Sequence, residues 1–326
     1  MTDTMQAIVQ DGYGTSEVLH LDEVARPHPG DGEVLVRVRA AGLDRGTWHL
    51  MVGQPYLIRL GFGLRAPKNP VPGLDVAGTV EAVGAGVTRF SVGDEVFGTS
   101  KGSFAEYTIA KESKLAHKPA GLPFEQAAAV PVSGLTALQA VRDRARITAG
   151  QQVLIIGASG GVGTYAVQLA KAAGAQVTGV CSAAKADLVR SLGADHVIDY
   201  ATESFADGRR TYDVILDIGG NSTLKTLRSA LTDTGTLVII GGEEGGKLTG
   251  GIDRQARAMA LSVFSKQRLT TFISSENHAD MAELGRLIED GTLTPTVDQA
   301  YPLAEAPAAM RKMEDGLVRG KVVITV

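Results

Sequence analysis

The pattern of apolar and polar positions changes once along the chain, near Pro123. Before that point short apolar stretches lie between glycine-rich turns, and Val34, Val36 and Val38 alternate with their neighbours as in a half-buried strand. Further strands are predicted at residues 76–83, 94–97 and 104–109. Many short strands at close spacing predict a small β-barrel, interrupted by one helix at residues 45–51 with Asp44 as its N-cap.

From residue 124 to residue 263 helical stretches alternate with short apolar strands. The predicted helices lie at 124–130, 135–144, 162–173, 185–192 and 223–231, and the predicted strands at 153–156, 176–180, 196–198, 214–217 and 237–240. Such alternation predicts an α/β domain with a doubly wound parallel sheet. Helices at 281–289 and 304–313 and a strand at 321–326 follow, and we expect this tail to pack on the barrel. The predicted domains are therefore 1–123 completed by 264–326, and 124–263.

Size and composition agree with two domains. The chain has 326 residues, 44% of them apolar, and a formal net charge of −4, which gives no general polyanion-binding surface. Cys181 is the only cysteine, so an internal disulfide and a cysteine-rich zinc site are excluded. Neither a secretory signal nor a run of about 18 apolar residues is present, so we expect a cytoplasmic protein without a membrane partner.

The stretch Val153-Leu-Ile-Ile-Gly-Ala-Ser-Gly-Gly-Val-Gly163 carries the strongest chemical signal. An apolar strand leads into glycines and then directly into a helix, which is the arrangement that binds a dinucleotide pyrophosphate at a helix N-terminus. The fingerprint has alanine at its first glycine position, and a second strand closes the βαβ unit. The residues assigned to this turn are Ala158, Ser159, Gly160, Gly161, Val162 and Gly163.

The end of the second strand indicates which dinucleotide binds. An NAD site has an acidic residue there for the ribose 2′-hydroxyl. This chain has Cys181 and Ser182 instead, with Lys185 one helical turn later. A hydroxyl and an ammonium suit a 2′-phosphate, and a charge-assisted hydrogen bond contributes about 1.5–3 kcal/mol. The sequence therefore favours NADPH.

Two other motifs in the sequence suggest different enzyme classes. The glycine turn also satisfies G-x-S-x-G, the nucleophile elbow of α/β-hydrolases, with Ser159 as nucleophile and His196 or His278 as the only later histidines. That remote alternative leaves Gly163 and the N-terminal barrel unexplained. The spacing of Tyr107 and Lys111 matches the Tyr-x-x-x-Lys of short-chain dehydrogenases, but in a strand four residues span about 13 Å, so we interpret the pair as structural.

At this point the chain resembles the zinc-free quinone oxidoreductases of the medium-chain dehydrogenase/reductase superfamily. The motifs that carry the resemblance are Ala158-Ser-Gly-Gly-Val-Gly163, Val167-Gln-Leu-Ala-Lys171, Gly193-Ala-Asp-His-Val-Ile-Asp-Tyr200, Ser133-Gly-Leu-Thr-Ala137 and Gly320-Lys-Val-Val323. The resemblance extends over nearly the whole chain and is looser at residues 45–69 and 241–255. It implies a GroES-like barrel, a Rossmann domain, and NADPH held in a cleft between them.

The resemblance also implies roles for individual residues. Ser182, Lys185 and Tyr200 would meet the adenosine phosphate, and Thr136 would lie near the nicotinamide ribose. The remaining cofactor residues that it implies are Gly241 and the segment from Phe264 to Gln267 beside the nicotinamide, and Lys321 of the closing motif. Family members commonly form homodimers through an edge strand of the Rossmann sheet.

The expected chemistry follows from the absence of zinc ligands in the sequence. Zinc-dependent relatives use cysteine and histidine ligands, whereas the corresponding segments here read Ala41-Gly-Leu-Asp-Arg45 and Gly73-Leu-Asp75. Without a metal, hydride transfer to an electron-poor quinone or α,β-unsaturated carbonyl needs mainly orientation, and water or a hydrogen-bond donor can supply the proton. A second hypothesis is an NADPH-binding protein of low turnover with a regulatory or structural role.

Four residues of the barrel are candidates for contact with the acceptor. They are Asp44, Arg45, Trp48 and Tyr56. Three of them also have a purely structural interpretation: Asp44 as a helix cap, Trp48 and Tyr56 as barrel packing. The family often has asparagine where this chain has Asp44, and an ionised carboxylate cannot donate the amide's hydrogen bond.

Overall fold

A computed structural model describes residues 3–242 and 246–326 of the chain. The strands are β1 Thr4–Gln10, β2 Leu19–Ala25, β3 Glu33–Leu43, β4 Asp75–Val83, β5 Glu95–Thr99, β6 Tyr107–Lys111, β7 Leu115–His117, β8 Gln152–Ile156, β9 Gln176–Cys181, β10 His196–Asp199, β11 Tyr212–Asp217, β12 Leu231–Ile239, β13 Arg268–Thr271, β14 Val297–Pro302 and β15 Lys321–Thr325. The α-helices are α1 Arg45–Val52, α2 Arg59–Phe62, α3 Phe124–Ala128, α4 Pro131–Gln139, α5 Gly161–Ala172, α6 Ala186–Ser191, α7 Leu224–Ala230, α8 Ile252–Val263, α9 His278–Glu289 and α10 Ala306–Glu314.

These elements form two compact units, each with its own main sheet, and the strands β1 and β2 form a separate antiparallel pair in the first unit. The first, called the barrel unit below, comprises Met1–Leu135 and Glu276–Val326, and the second, called the Rossmann unit, comprises Thr136–Ser275. Both boundaries lie later in the chain than the predicted ones at 123/124 and 263/264. The first falls inside α4, and the second follows β13, a strand that the sequence analysis did not predict.

In the barrel unit a mostly antiparallel sheet has the strand order β14-β15-β3-β4-β5-β7, with β6 paired to β3. The alternating stretch identified in the sequence is β3, whose Val34, Val36 and Val38 are all buried. The last strand returns to this sheet: β15 pairs antiparallel with β3, Ile324 opposite Ala41. The C-terminal tail thus packs on the barrel, as predicted, by adding its strand to this sheet. Tyr107 and Lys111 belong to β6, which agrees with their interpretation as strand residues.

In the Rossmann unit six parallel strands have the order β10-β9-β8-β11-β12-β13. This is the doubly wound order 3-2-1-4-5-6, in which the strand order reverses between β8 and β11. The central residues Leu154, Ile215 and Leu237 have no exposed surface, which explains why these strands are continuous apolar runs. In such a sheet ligands bind at the carboxyl ends of the strands, at the reversal point.

The elements that the sequence analysis missed include the strand β2 and the helix α8. The strand β2 has mostly exposed residues and no alternation, and α8 has a single fully buried residue, Ala258. The strand β2 therefore has no hydrophobic period, whereas the apolar positions of α8 recur at helical spacing, a signal that the sequence analysis overlooked. Within the described residues, no helix combines the length and the apolar character that crossing a bilayer requires.

Candidate functional site

The glycine turn lies between β8 and α5, at the reversal point of the Rossmann sheet. Gly157 has a φ of +85°, a left-handed conformation that glycine adopts without strain. Its N–H and that of Ala158 both donate to the carbonyl of Val180 at 3.1 Å, which ties the turn to β9. The N–H of Gly160 donates back to the carbonyl of Gly157 at 3.2 Å. The turn therefore has one conformation, determined by its own backbone bonds.

The first turn of α5 presents its N–H groups without a side-chain cap. Gly160 is the N-cap and has no side chain to accept from them. The first N–H bonded within the helix is that of Thr164, which donates to the carbonyl of Gly160 at 2.9 Å. The N–H groups of Gly161, Val162 and Gly163 precede it and point out of the helix end. Such a terminus binds phosphate through these donors and through the positive end of the helix dipole.

Three close backbone approaches occur at the carboxyl edge of the sheet. A Cβ on Gly163 would lie 2.1 Å from the carbonyl oxygen of Gly157, and a Cβ on Gly241 would lie 1.9 Å from that of Ile218. A Cβ on Gly157 would lie 3.0 Å from the backbone nitrogen of Gly219. Only glycine fits at the first two positions, so β8, β11 and β12 end in an open, side-chain-poor edge. This edge, together with the uncapped helix, fits a dinucleotide.

The residues predicted for the adenosine phosphate are brought together at the ends of β9 and β10. Ser182 directly follows β9, Lys185 is the last residue before α6, and Tyr200 directly follows β10. The N–H of Tyr200 donates to the carbonyl of Cys181 at 3.2 Å, which joins the two strand ends. The Tyr200 side chain is exposed. A hydroxyl, an ammonium and a phenol therefore lie around one corner of the sheet.

One carboxylate, that of Asp199, lies near this corner. Its oxygens accept from the N–H of Ala201 at 3.1 Å and from the hydroxyl of Thr202 at 3.4 Å, so the charge faces its own turn. Burial raises the pKa of the Cys181 thiol, and Asp199 raises it further, while Arg190 and Lys185 oppose the shift. The cysteine is thus a neutral, buried residue. No carboxylate ends β9, the position where an NAD site has one.

At the opposite end of the sheet Thr136 is placed beside the segment that follows β13. Its hydroxyl donates to the hydroxyl of Ser274 at 3.0 Å. Gln139, one turn later on α4, exchanges two hydrogen bonds of 2.8 Å with the backbone of Ser275. The segment 272–275 therefore leaves the carboxyl end of β13 next to a residue predicted to lie near the nicotinamide ribose.

The structure corrects the placement of the segment from Phe264 to Gln267. These residues precede β13, so they lie at the amino ends of the parallel strands, the edge opposite to the glycine turn. Phe264 is 91% exposed, and Gln267 exchanges hydrogen bonds of 3.0 Å with Arg228 at the end of α7. The family resemblance had implied the nicotinamide role for the residues before this strand, which the sequence analysis did not predict. The residues after it, 271–273, occupy the carboxyl edge.

A buried ion pair at the same edge was not predicted. Asp217 ends β11, and its carboxylate accepts from Arg254 at 2.8 Å and from the N–H of Gly220 at 3.1 Å. Arg254 also donates to the carbonyls of Ser222 and Gly241, at 2.7 and 3.0 Å. Burial raises the pKa of Asp217, and Arg254 opposes that shift. The pair fixes the loops after β11 and β12; its only sequence signal was an acid ending an apolar strand.

In the barrel unit Asp44 has the capping role. Its carboxylate accepts from the N–H of Thr47 at 2.8 Å and from the Thr47 hydroxyl at 3.1 Å, and its side chain is buried. Both oxygens are therefore engaged with the first turn of α1. This geometry supports the structural interpretation of Asp44 over direct contact with an acceptor.

The other three candidate residues lie on or after α1. The Arg45 guanidinium stacks 5.0 Å from the centre of the Trp48 ring, and the Trp48 indole donates to Glu314 at 3.2 Å. Tyr56 is 42% exposed and stacks under Arg59, whose guanidinium carbon is 4.6 Å from the ring centre. Arg45 and Tyr56 thus keep hydrogen-bonding groups at the surface, whereas Trp48 packs in the barrel.

Lys321 lies in the core of the barrel unit. Its side chain is 2% exposed, and its ammonium donates to the Asp75 carboxylate at 2.8 Å. The other Asp75 oxygen accepts from the N–H of Val132, at the start of α4, also at 2.8 Å. Burial raises the pKa of Asp75 to about 7, Lys321 opposes the shift, and Asp44 adds to it. The ammonium predicted to meet the cofactor is therefore bound to a buried carboxylate that the sequence analysis had considered only as a missing metal ligand.

Two alternatives were tested against the geometry. Among the described residues no group of three or more His, Cys, Asp and Glu side chains could hold a metal ion, so the donor set does not fit zinc.

His196 begins β10 and so lies at the amino edge of the sheet, whereas Ser159 follows the carboxyl end of β8. A Ser159–His196 pair of the hydrolase kind is therefore excluded by the parallel strand direction.

Comparison with known proteins gives consistent relationships over the full length. Residues 30–120 match the family model of the alcohol dehydrogenase GroES-like domain, and residues 192–324 match that of zinc-binding dehydrogenases. A quinone oxidoreductase of Pseudomonas aeruginosa is 36% identical, covering 96% of this chain and 97% of its own. The structure of the quinone oxidoreductase from Coxiella burnetii aligns with a TM-score of 0.88 at 28% identity, over 99% of both chains. A mycobacterial protein in complex with NADPH aligns with a TM-score of 0.84 at 29% identity, over 99% of this chain and 100% of its own.

Proposed function

Because the chain belongs to the zinc-free quinone oxidoreductase family of the medium-chain dehydrogenase/reductase superfamily, it is an NAD(P)H-dependent oxidoreductase, and we propose that it reduces quinones or α,β-unsaturated carbonyls with NADPH. The observation that carries the choice of NADPH is the corner formed by Ser182, Lys185 and Tyr200. It offers a hydroxyl, a cation and a phenol, and β9 ends without a carboxylate. The NADPH complex of the mycobacterial relative supports the same choice.

The proposed cofactor site follows the carboxyl edge of the Rossmann sheet from end to end. In this proposal the N–H groups of residues 161–163 would hold the pyrophosphate, and Lys185 would hold the 2′-phosphate. Thr136 lies near the nicotinamide ribose, and Gly241 and residues 271–273 flank the ring. We assign no cofactor contact to Phe264, and Lys321 supports the barrel through Asp75. We further propose a cytoplasmic homodimer that pairs through β10 or β13, the edge strands of this sheet.

In the proposed reaction the chain acts mainly by orientation. When bound, NADPH supplies the hydride. The glycine edge holds the pyrophosphate at one place, and the Thr136 hydroxyl, fixed by Ser274, orients the ribose. An electron-poor acceptor stabilises the resulting negative charge on its own oxygen, so no Lewis acid is required. Arg45 or Tyr56 can donate a hydrogen bond to that oxygen, and water can deliver the proton. Asp44 holds α1, which carries Arg45, in position.

The deciding experiment is steady-state oxidation of NADPH and of NADH with a panel of quinones and enones. Turnover of at least one class with a kcat/KM for NADPH at least tenfold above that for NADH is the expected result. Preference for NADH would overturn the assignment of the adenosine corner. Tight NADPH binding without turnover of any acceptor would instead favour the second hypothesis, an NADPH-binding protein with a regulatory or structural role.

A further inference from the structure

The segment from Arg45 to Leu74 has an unusual charge composition. It contains Arg45, Arg59, Arg65 and Lys68 and no aspartate or glutamate, although the whole chain has 36 acidic and 32 basic residues. Thirty consecutive residues of a mildly acidic protein therefore have only positive formal charge. Such a segment attracts anionic surfaces and repels the same segment of a second copy.

The same segment exposes large apolar side chains. Leu60 is 74% exposed, Leu64 is 69% and Phe62 is 52%, with Leu57 at 43%. These four residues, called the apolar patch below, lie within eight positions of one another in the barrel unit. Single exposed leucines need no explanation, but a cluster with a polar rim marks an interaction surface.

The apolar patch is presented by an anchored loop. Arg59, on α2, donates to the carbonyl of Gly53 at 2.8 Å, and the Tyr13 hydroxyl donates to the carbonyl of Gly63 at 2.5 Å. The N–H of Lys68 donates to the carbonyl of Phe62 at 2.7 Å. Gly63 has a φ of +127°, and a Cβ there would lie 2.0 Å from the carbonyl of Ala66. The loop's polar backbone therefore bonds inward, and its apolar side chains are directed to solvent.

Two cations of the segment lie at the edge of the patch. Arg65 and Lys68 are both exposed, and across residues 3–242 and 246–326 neither has an ion-pair partner. Arg65 directly follows Leu64 of the patch. Leucine and phenylalanine beside unpaired cations are the composition that binds at the interface of an anionic bilayer, with the apolar groups among the acyl chains and the cations at the headgroups.

We propose that the segment Arg45–Leu74 docks the protein on the surface of an anionic lipid membrane through the apolar patch, Arg65 and Lys68. Charge complementarity argues for a lipid surface over a symmetric contact with a second copy, because the segment has no acidic residue with which to pair the cations of its counterpart. The proposal goes beyond the oxidoreductase activity and departs from the expectation, drawn from composition, of no membrane partner. It requires peripheral binding only, which agrees with the lack of a spanning helix among the described residues.

The experiment is co-sedimentation of the purified full-length chain with two kinds of vesicle, with and without NADPH. One kind contains phosphatidylcholine alone, and the other contains phosphatidylcholine with one third phosphatidylglycerol. We expect binding to the anionic vesicles and at least tenfold weaker binding to the neutral ones. Binding to the anionic vesicles should fall as salt is raised, because surface electrostatics are screened.

Matched variants identify the surface. Leu60→Asp with Phe62→Asp should reduce binding roughly a hundredfold, since both apolar insertion and charge attraction are lost. Arg65→Gln with Lys68→Gln should reduce it by roughly fivefold for each cation removed. The control is Leu317→Asp, the same change at a leucine that is 61% exposed in the same unit, outside the segment. Its binding should equal that of the unmodified chain after correction for one added negative charge.

Three results would overturn the proposal. They are no preference for anionic vesicles, equal losses from the Leu60→Asp/Phe62→Asp variant and from Leu317→Asp, and unchanged binding in the Leu60→Asp/Phe62→Asp variant. Sedimentation velocity without lipid tests the other possible occupant of the patch, a second copy of the chain. If the Leu60→Asp/Phe62→Asp variant is a monomer where the unmodified chain is a dimer, and lipid binding is unchanged, the patch binds a second copy. Circular dichroism and NADPH titration of each variant show that a loss is not caused by unfolding.

Discussion

The two polar centres of this protein are built in opposite ways. The glycine turn of the Rossmann unit is contiguous in sequence, and its donors are backbone N–H groups. The Asp75–Lys321 centre of the barrel unit joins residues 246 positions apart, and its donors and acceptors are mainly side chains. The first is the proposed ligand site, where Gly163 leaves no room for a side chain, whereas the second is a buried support in the core. A motif search finds the first kind and overlooks the second.

The largest expected effect tests whether the barrel centre is purely structural. At pH 8, Asp75→Leu should destabilise the chain by about 3–5 kcal/mol, because it leaves the Lys321 ammonium buried without its carboxylate. Lys321→Met should cost a similar amount. The double variant should recover most of the loss, since two packed apolar side chains replace the pair. Urea unfolding measures all three, and additive losses in the double variant would show that the two residues are not coupled.

The same centre has a defined pH dependence. The folded state holds the Asp75 proton up to about pH 7, whereas in the unfolded chain the carboxyl has the ordinary value of 3.8. The folded state therefore binds more protons in this window, and the contribution of Asp75 to the free energy of unfolding falls as pH rises from about 4 to 7. Asp75→Asn should remove that component. An identical pH profile in the variant would contradict the raised pKa.

The next effect tests how strictly the glycine turn excludes side-chain atoms. Gly163→Ala should weaken NADPH binding by about a hundredfold or more and cost roughly 1–3 kcal/mol of stability, because the new methyl would meet the carbonyl of Gly157. The matched control is Gly160→Ala, where the nearest atom would be 3.6 Å away and φ is −86°. Fluorescence titration with NADPH measures both variants. Equal losses would mean that the two glycines are needed for the ligand's approach and not for helix packing.

A smaller effect tests the positive charge that Lys185 supplies near the glycine turn. Lys185→Ala should raise the KM for NADPH by roughly ten- to a hundredfold and leave that for NADH unchanged, as expected for one charge-assisted contact of about 1.5–3 kcal/mol. Lys266→Ala is the matched control, because Lys266 is exposed on the amino edge of the same sheet. If both variants change the NADPH preference equally, general electrostatic attraction explains it.

The smallest effect separates two roles for Asp44. Asp44→Ala should cost about 1 kcal/mol of stability, the usual contribution of a helix N-cap, and Asp44→Asn should be close to the original because asparagine caps as well as aspartate. Both should retain kcat within a few-fold. A fall in kcat of a hundredfold or more in Asp44→Asn, with the helix intact, would indicate that Asp44 transfers the proton.

Local patterns in the sequence predicted local structure well. The cap of α1 by Asp44, the strands β3 and β8 and the helix α5 all depend on residues within one or two turns of each other, so periodicity and capping rules were sufficient. The Ser182–Lys185 corner was also predictable, because the βαβ unit places the end of its second strand next to the turn. Tyr200 joined it through the pairing of β9 with β10.

What failed in the prediction depended on strand direction and on long-range pairing. Phe264 is close in sequence to the nicotinamide edge but precedes a strand, β13, that has only four residues and no clear period. Only the parallel pairing of β13 with β12 shows that Phe264 lies at the amino edge of the sheet. The exposure of the apolar patch was equally hidden, because the composition of residues 45–74 does not tell which leucines face solvent.

The sequence was sufficient for the fold class, for the position of the glycine turn, and for the hypothesis of a phosphate-bearing cofactor. These follow from short-range backbone geometry, which glycine spacing and hydrophobic periods record directly. Only the folded chain shows that Lys321 pairs with Asp75 in the barrel core, that Arg254 binds Asp217 at the sheet edge, and that residues 271–273, not Phe264, lie at the carboxyl edge of the sheet. Burial and charge pairing between distant residues are properties of the folded chain, and no local pattern encodes them.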